Sequence, residues 1–397
     1  MRNKQLGPLF LVSVIDILGF GILIPLVPYM ANRFGAAPAV ITALFGAYSL
    51  CQLIAAPFWG RLSDRYGRRP ILISSLAGAC VSYLILGLAN SLGWLFVSRI
   101  LGGFMAGNIA AAFAYASDVS LPEKRAASLG MVGAAIGIGF TLGPAVGGLL
   151  AGNDPGAASF VMPAVVSACL SVFAIGLVTF LLPESNTAER RKEHALRTRV
   201  GPLRMLMERP ALRYLATAAL LVTFSQAILE SIFAIWALNK FGFGPRTVGL
   251  LMFCLACLAV LMQGGGVRVL VPRLGEAKLA TLGVCAYVVG LITVGEAPSL
   301  TITGLGLALC GMGVGAFNPS ASSLASKQAD VHDRGAVMGT YQSSSSLARV
   351  IGPFVSGPIY VALGPSAPFL TGACVTVFAV WFIWLAHARS PIALEQG

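Results

Sequence analysis

Four charged residues stand inside long apolar runs: Asp16, Arg99, Glu230 and Arg349. Charge is costly in a lipid interior. Side chains that carry it there usually pair with one another or act on ions and substrates. Burial favours the neutral form of a carboxylate, and a neighbouring cation favours the charged form. A carboxylate poised between the two takes up a proton on one side of a membrane and releases it on the other. On this chemistry Glu230 is the leading candidate proton carrier and Asp16 the second. Arg349 is expected as the counter-charge of Glu230 or as an anchor for an anionic substrate group. A static ion pair or a polar tie between helices is the alternative at each position.

The elements that hold these charges must be membrane-spanning. The 397 residues are 57% hydrophobic and only 11% charged, with a mean hydropathy of +0.83. Soluble domains average about 25% charged residues, so this chain cannot dress a soluble surface. A span needs about 20 mostly apolar residues. Twelve such stretches are legible, at 8–31, 41–59, 70–89, 94–117, 127–150, 160–182, 211–238, 247–271, 278–296, 300–325, 335–362 and 366–387. Arg2 and Lys4 before the first run mimic a signal peptide, but the run continues to Met30, so an uncleaved first helix is expected.

With both termini inside, 22 of the 27 Lys and Arg residues fall in cytoplasmic segments and only Arg33, Lys240 and Arg246 outside. That asymmetry sets the orientation. The net charge of +12 therefore reflects topology and not nucleic-acid binding. The longest polar segment, with Glu184, Glu189, Arg190, Arg191, Lys192, Glu193, Arg197, Arg199 and Arg204, reads as a solvated cytoplasmic linker. It divides the chain into an N-terminal six-helix bundle (1–182), a linker (183–210) and a C-terminal six-helix bundle (211–397). The expected fold is an all-α membrane protein with two pseudo-symmetric bundles. Residues 139–148 and 349–358 echo each other, and 266–278 looks like an eroded copy of 60–70.

The segment Gly60-Arg61-Leu62-Ser63-Asp64-Arg65-Tyr66-Gly67-Arg68-Arg69-Pro70 reads as a short basic hairpin between two spans. Gly60 and Gly67 would permit its tight turns, and Asp64 would accept from Arg68 or from helix-end amides. Its pattern resembles the loop between helices 2 and 3 of major facilitator superfamily transporters. The resemblance covers about residues 8–388 and implies a conformational latch made by Gly60, Asp64, Arg65, Gly67 and Arg68, with Asp118 at the end of span 4 as partner of the loop arginine. The alternative is a solvated turn whose arginines only set topology.

Gly139, Gly143, Pro144, Gly147 and Gly148 make one flat face on span 5, suited to close packing. This run resembles the span-5 signature of the drug:proton antiporter branch, and Asp16 to Pro25 resembles the first helix of tetracycline-type exporters. Arg99 to Asn108 resembles the superfamily's span-4 motif, in which the arginine is tied to proton coupling. Those exporters also carry an aspartate within span 3 and another within span 9. Here Ile71 to Ala89 has no acidic residue, so a tetracycline–magnesium substrate does not follow.

Gln52 and Asn108 are candidate polar contacts of a substrate cavity, or else helix–helix ties. Phe224, Phe233, Trp236, Phe317 and Tyr341 are candidate aromatic lining, with plain packing as the alternative. All eight cysteines fall in apolar stretches and read as small hydrophobes. Cys254 and Cys257 lack a nearby histidine or second pair, so no metal site is expected. Nor is there a nucleophile triad or a phosphate-cradling loop. The expectation is a monomeric, inner-membrane, non-enzymatic carrier without cofactors. It would export hydrophobic or amphipathic small molecules in exchange for protons, with an organic-anion or metabolite carrier as the runner-up. A membrane receptor or scaffold is the remote alternative.

Overall fold

The computed structural model describes residues 5–121, 124–156, 158–186, 202–329 and 333–389. Twelve of its helices are long and apolar enough to cross a membrane: Leu6–Arg33, Pro38–Tyr66, Arg68–Gly87, Leu92–Val119, Ala127–Ala151, Val161–Leu181, Pro210–Phe241, Pro245–Leu274, Glu276–Glu296, Leu300–Ser326, Gly335–Leu363 and Ala367–Ala388. They are spans 1 to 12 below, and each lies where the hydropathy places it. No strand occurs among the described residues. In lipid every backbone polar group must be satisfied within the protein, and each described span does so as a helix.

The helices depart from regularity at three sequence-specified places. Span 1 makes a turn between Leu23 and Val27, around Pro25. Span 4 breaks between Met105 and Asn108. There Gly107 lies so close to Trp59 that a Cβ would strike the indole, and Trp59 Nε1 donates to Phe104 O at 2.5 Å. Span 8 passes through a π-helical turn at Met262–Gly266, the three-glycine stretch.

Two sequence expectations are corrected. Residues 60–70 are not a Gly-bounded hairpin. Span 2 runs unbroken to Tyr66, Gly60 sits inside it with open space where a side chain would be, and Gly67 alone makes the turn, at φ +117°. No proline lies between Gly60 and Gly67, and Asp64 and Arg68 pair at i,i+4 across the turn. The second correction concerns the linker. Its first residues are not solvated: Ser185 and Asn186 are buried, for reasons given below. Its residues 187–201, which carry Glu189, Arg190, Arg191, Lys192, Glu193, Arg197 and Arg199, lie outside the described residues. The linker ends in a short helix, Pro202–Glu208.

The contacts divide the chain into two units, Met1–Arg197 with Ala237–Phe253, and Thr198–Trp236 with Cys254–Gly397. In the first unit the span-5 glycine face is in use along its length. Gly139 abuts Ile17 and Leu18, Gly143 lies on Gly21, Gly147 on Ile22 O, and Gly148 on Pro245 and Arg246. Span 5 thereby fixes span 1, the helix that carries Asp16. At the same end Tyr29 Oη donates to Phe243 O at 2.7 Å and the Arg246 amide to Gly152 O at 3.1 Å. In the second unit Gly352 lets span 11 reach the backbone of Phe224 on span 7, and the Ser231 and Ser356 hydroxyls meet at 3.0 Å. Ser225 Oγ donates to Gly372 O at 2.8 Å and ties span 7 to span 12. These contacts are the rails that position Glu230 and Arg349.

Candidate functional site

The first unit holds its charges sealed. Asp16 and Arg99 are 7% and 4% exposed. Asn108, the first residue after the break in span 4, donates Nδ2 to Asp16 Oδ2. The break thus turns a helix interruption into a carboxylate partner. A cavity with room for about one water lies beside them, lined by Ser13, Asp16, Leu76, Asn108 and Ile136 among others. The Arg99 guanidinium sits over the Tyr48 ring, 5.7 Å from its centroid, a cation–π contact. Its Nε and Nη2 are buried without a hydrogen-bond partner among the described residues. Tyr48 and Tyr83 lie within electrostatic range of both Asp16 and Arg99.

The second unit holds its charges half open. Arg349 Nη1 approaches Glu230 Oε2 at 3.4 Å, and Gln226 Nε2 donates to Glu230 Oε1 at 2.9 Å. The two charged side chains are 41% and 38% exposed. Arg349 and Glu230 therefore meet as the charge pattern suggests. Gln226, one helical turn before Glu230, escaped the sequence reading although its i,i+4 spacing marks it. Tyr48 and Tyr83 gave no such signal, being single tyrosines in apolar runs.

At the basic end of the first unit Arg68, 4% exposed, is enclosed by acceptors. It pairs with Asp64 at 2.8 Å and Asp118 at 3.0 Å and donates to Ser63 Oγ at 2.8 Å. Asp64, Arg68 and Asp118 are thus brought together, while Arg65 lies exposed over the Tyr66 ring. The sequence reading missed Glu184. Its two carboxylate oxygens accept the amides of Arg68 and Arg69, the first residues of span 3, at 2.8 and 3.1 Å. A carboxylate at a helix N-terminus satisfies orphan amides and complements the dipole. A Cβ at residue 67 would strike this carboxylate, so the turn takes glycine for space as well as for φ. Asn186 Nδ2 donates to Asp64 O at 2.9 Å and closes the strap.

The candidate cavity residues are placed unequally. Gln52 and Phe224 are half-buried, and Asn108 is engaged by Asp16. Phe233, Trp236 and Phe317 are fully buried and Tyr341 nearly so. Trp236 packs on Phe233 and Phe369, with centroids at 5.9 and 5.4 Å. In this arrangement these aromatics fill the interior of the helix packing and do not form an open wall. Among the described residues no His, Cys, Asp and Glu cluster has metal-holding geometry.

Twelve helices of membrane-spanning length and composition, with charged side chains within them, mark a multi-pass membrane protein. The family model of the Major Facilitator Superfamily matches residues 9–330 and 268–396, and the chain belongs to that superfamily. Tetracycline resistance protein, class G, of Vibrio anguillarum is 30% identical over 369 residues, covering 91% of each chain. Multidrug resistance protein 2 of Bacillus subtilis (strain 168) is 27% identical over 388 residues, covering 95% of this chain and 94% of that protein. The crystal structure of the human organic anion transporter MFSD10 (TETRAN) aligns with a TM-score of 0.72 at 25% identity, over 96% of this chain and 99% of that one.

Proposed function

We propose that the chain is a proton-coupled secondary transporter that exports hydrophobic or amphipathic small molecules by alternating access. Its bundles are 1–182 and 211–397, joined by 183–210, and it works as a monomer in the inner membrane with both termini cytoplasmic. The observation that carries this reading is the half-exposed Glu230–Arg349 pair, 3.4 Å apart within membrane-spanning helices. Such a carboxylate is reachable by protons and held near a cation that competes with them. Glu230 is the proton carrier and Arg349 its cationic counterpart, while Asp16 and Arg99, the second candidates for coupling, are sealed groups that hold the helices of the first unit in place. Gln52, Asn108 and Phe224 contribute to the substrate cavity, and Phe233, Trp236, Phe317 and Tyr341 would join it only if span packing changes during the cycle. Asp64, Arg68 and Asp118, turned by Gly67 and flanked by Gly60 and Arg65, form a conformational latch, and Gly139 to Gly148 form the antiporter helix face. The tetracycline- and multidrug-resistance relatives support export of drug-like compounds.

A second reading, an organic-anion carrier, is favoured by the half-exposed Arg349 side chain and by the similarity to a human organic anion transporter. The test is proton flux in proteoliposomes under an imposed pH gradient, with a cationic dye, a lipophilic anion and tetracycline in turn. Substrate-dependent proton movement that disappears in Glu230→Gln is the expected result. Substrate movement without protons would reject proton coupling.

A further inference from the structure

We infer that the Glu230–Arg349 pair is an exchangeable site at which an amphipathic organic anion takes the place of Glu230 on Arg349 while a proton takes the place of Arg349 on Glu230. Anion and proton therefore bind together. The inference rests on Glu230 as proton carrier and on the organic-anion reading, and adds the sign of the coupling: symport with an anion, exchange against a cation.

The geometry is that of a pair built to part. Arginine–carboxylate pairs are often bidentate, with N–O distances of about 2.7–2.9 Å. Here one guanidinium nitrogen makes one contact at 3.4 Å, and the side chain is 41% exposed. Most of the fork is left to a further acceptor. Glu230 is not dependent on Arg349, because Gln226 holds its other oxygen at 2.9 Å. On span 11 the residues one and two turns before Arg349 are polar: Ser345, Ser346 and the exposed Gln342. Residues spaced i, i+3/i+4 and i+7 share one helix face. A polar stripe leading to a cation inside an apolar span needs polar company, which an anionic head group supplies.

Charge balance then fixes the coupling. The resting pair has no net charge. An anion alone would give the site a net negative charge in a medium where an uncompensated charge is costly. An anion together with a proton on Glu230 restores neutrality: one guanidinium–anion pair and one carboxylic acid. The other groups facing Glu230, among the described residues, cannot replace that proton. Gln226 is neutral, and Tyr287 on span 9, which lies within electrostatic reach of Glu230, is a neutral hydroxyl buried without a hydrogen-bond partner. A permanent cation has no claim on Arg349 and instead competes with the proton for Glu230. The charge of the substrate thus decides whether a proton accompanies it or opposes it.

The probe is 2-naphthalenesulfonate, a sulfonate that stays ionised, so any proton moving with it travels on the protein. Proteoliposomes with equal pH inside and out, their potential clamped, receive the sulfonate outside while a trapped dye reads lumen pH. Tetraphenylphosphonium is the cationic comparison. The expected result is sulfonate uptake with lumen acidification in the wild type. Glu230→Gln should lose the acidification, and Arg349→Gln should lose the sulfonate uptake. Calorimetry of sulfonate binding in two buffers of different ionisation heat should show proton uptake by the wild type and none by Glu230→Gln, which keeps the test valid if Arg349→Gln does not fold. Sulfonate uptake at constant lumen pH, or no sulfonate uptake at all, overturns the inference. If tetraphenylphosphonium still moves protons in the opposite direction, Glu230 as proton carrier survives that failure. If no probe moves protons, both readings fall.

Discussion

The two units solve one problem in opposite ways. Both must keep a carboxylate and an arginine inside a membrane. The first unit seals them: Asp16 is bonded to Asn108, Arg99 rests on Tyr48, and both are under a tenth exposed. The second unit pairs them directly and leaves each more than a third exposed. A sealed carboxylate is held by its neighbours, and an open one is free to change partner. We therefore assign exchange to Glu230 and structural support of span 1 to Asp16.

The sharpest way to break this contrast is Glu230→Gln. It should abolish substrate-linked proton movement while the melting temperature in detergent hardly changes, because Gln226 still reaches the new amide. A large fall in melting temperature would make Glu230 a structural residue instead. Asn108→Ala should show the reverse pattern. It strands a buried carboxylate at an expected cost of about 1–3 kcal/mol, read from the detergent melting curve. Gly147→Ala drives a Cβ into Ile22 O and tests whether span 5 fixes the Asp16 helix. Overpacking of this kind costs about 1–3 kcal/mol, and the expected result is a lowered melting temperature with an unchanged proton-to-substrate ratio. The smallest effect belongs to Glu184→Gln at the span-3 cap, about 0.3–1 kcal/mol by loss of the charge–dipole contribution. A melting curve identical to the wild type would mean that water replaces the cap at no cost.

The twelve spans were legible because lipid demands long apolar helices, and hydropathy reports that demand directly. The pairing Glu230–Arg349 was legible because charges inside apolar runs have few partners to choose from, whereas Arg68–Asp118 was legible only through the family resemblance of the 60–70 segment. Burial was not legible: Phe233, Trp236 and Phe317 have the composition of a cavity wall but lie inside packing, since periodicity does not say which face meets another helix. The Glu184 strap was missed because a polar residue just beyond a span reads as solvent-exposed linker until the turn at Gly67 brings it to the span-3 amides.

The eroded repeat is a further case. At Gly275, as at Gly67, a glycine with positive φ joins two helices. Residue 68 is an arginine bonded to Asp118 near the end of span 4, whereas Glu276 pairs with Lys327, just after span 10, at 2.6 Å. The turn and the pairing recur with the charges reversed, which a motif written in residue types does not capture.

The most direct test of exchange at the open site is proton-coupled flux measured side by side in Glu230→Gln and Asp16→Asn proteoliposomes matched for reconstituted protein. The account expects Glu230→Gln to lose substrate-linked proton movement and Asp16→Asn to transport more slowly with the wild-type proton-to-substrate ratio. Coupling intact in Glu230→Gln and lost in Asp16→Asn would contradict it.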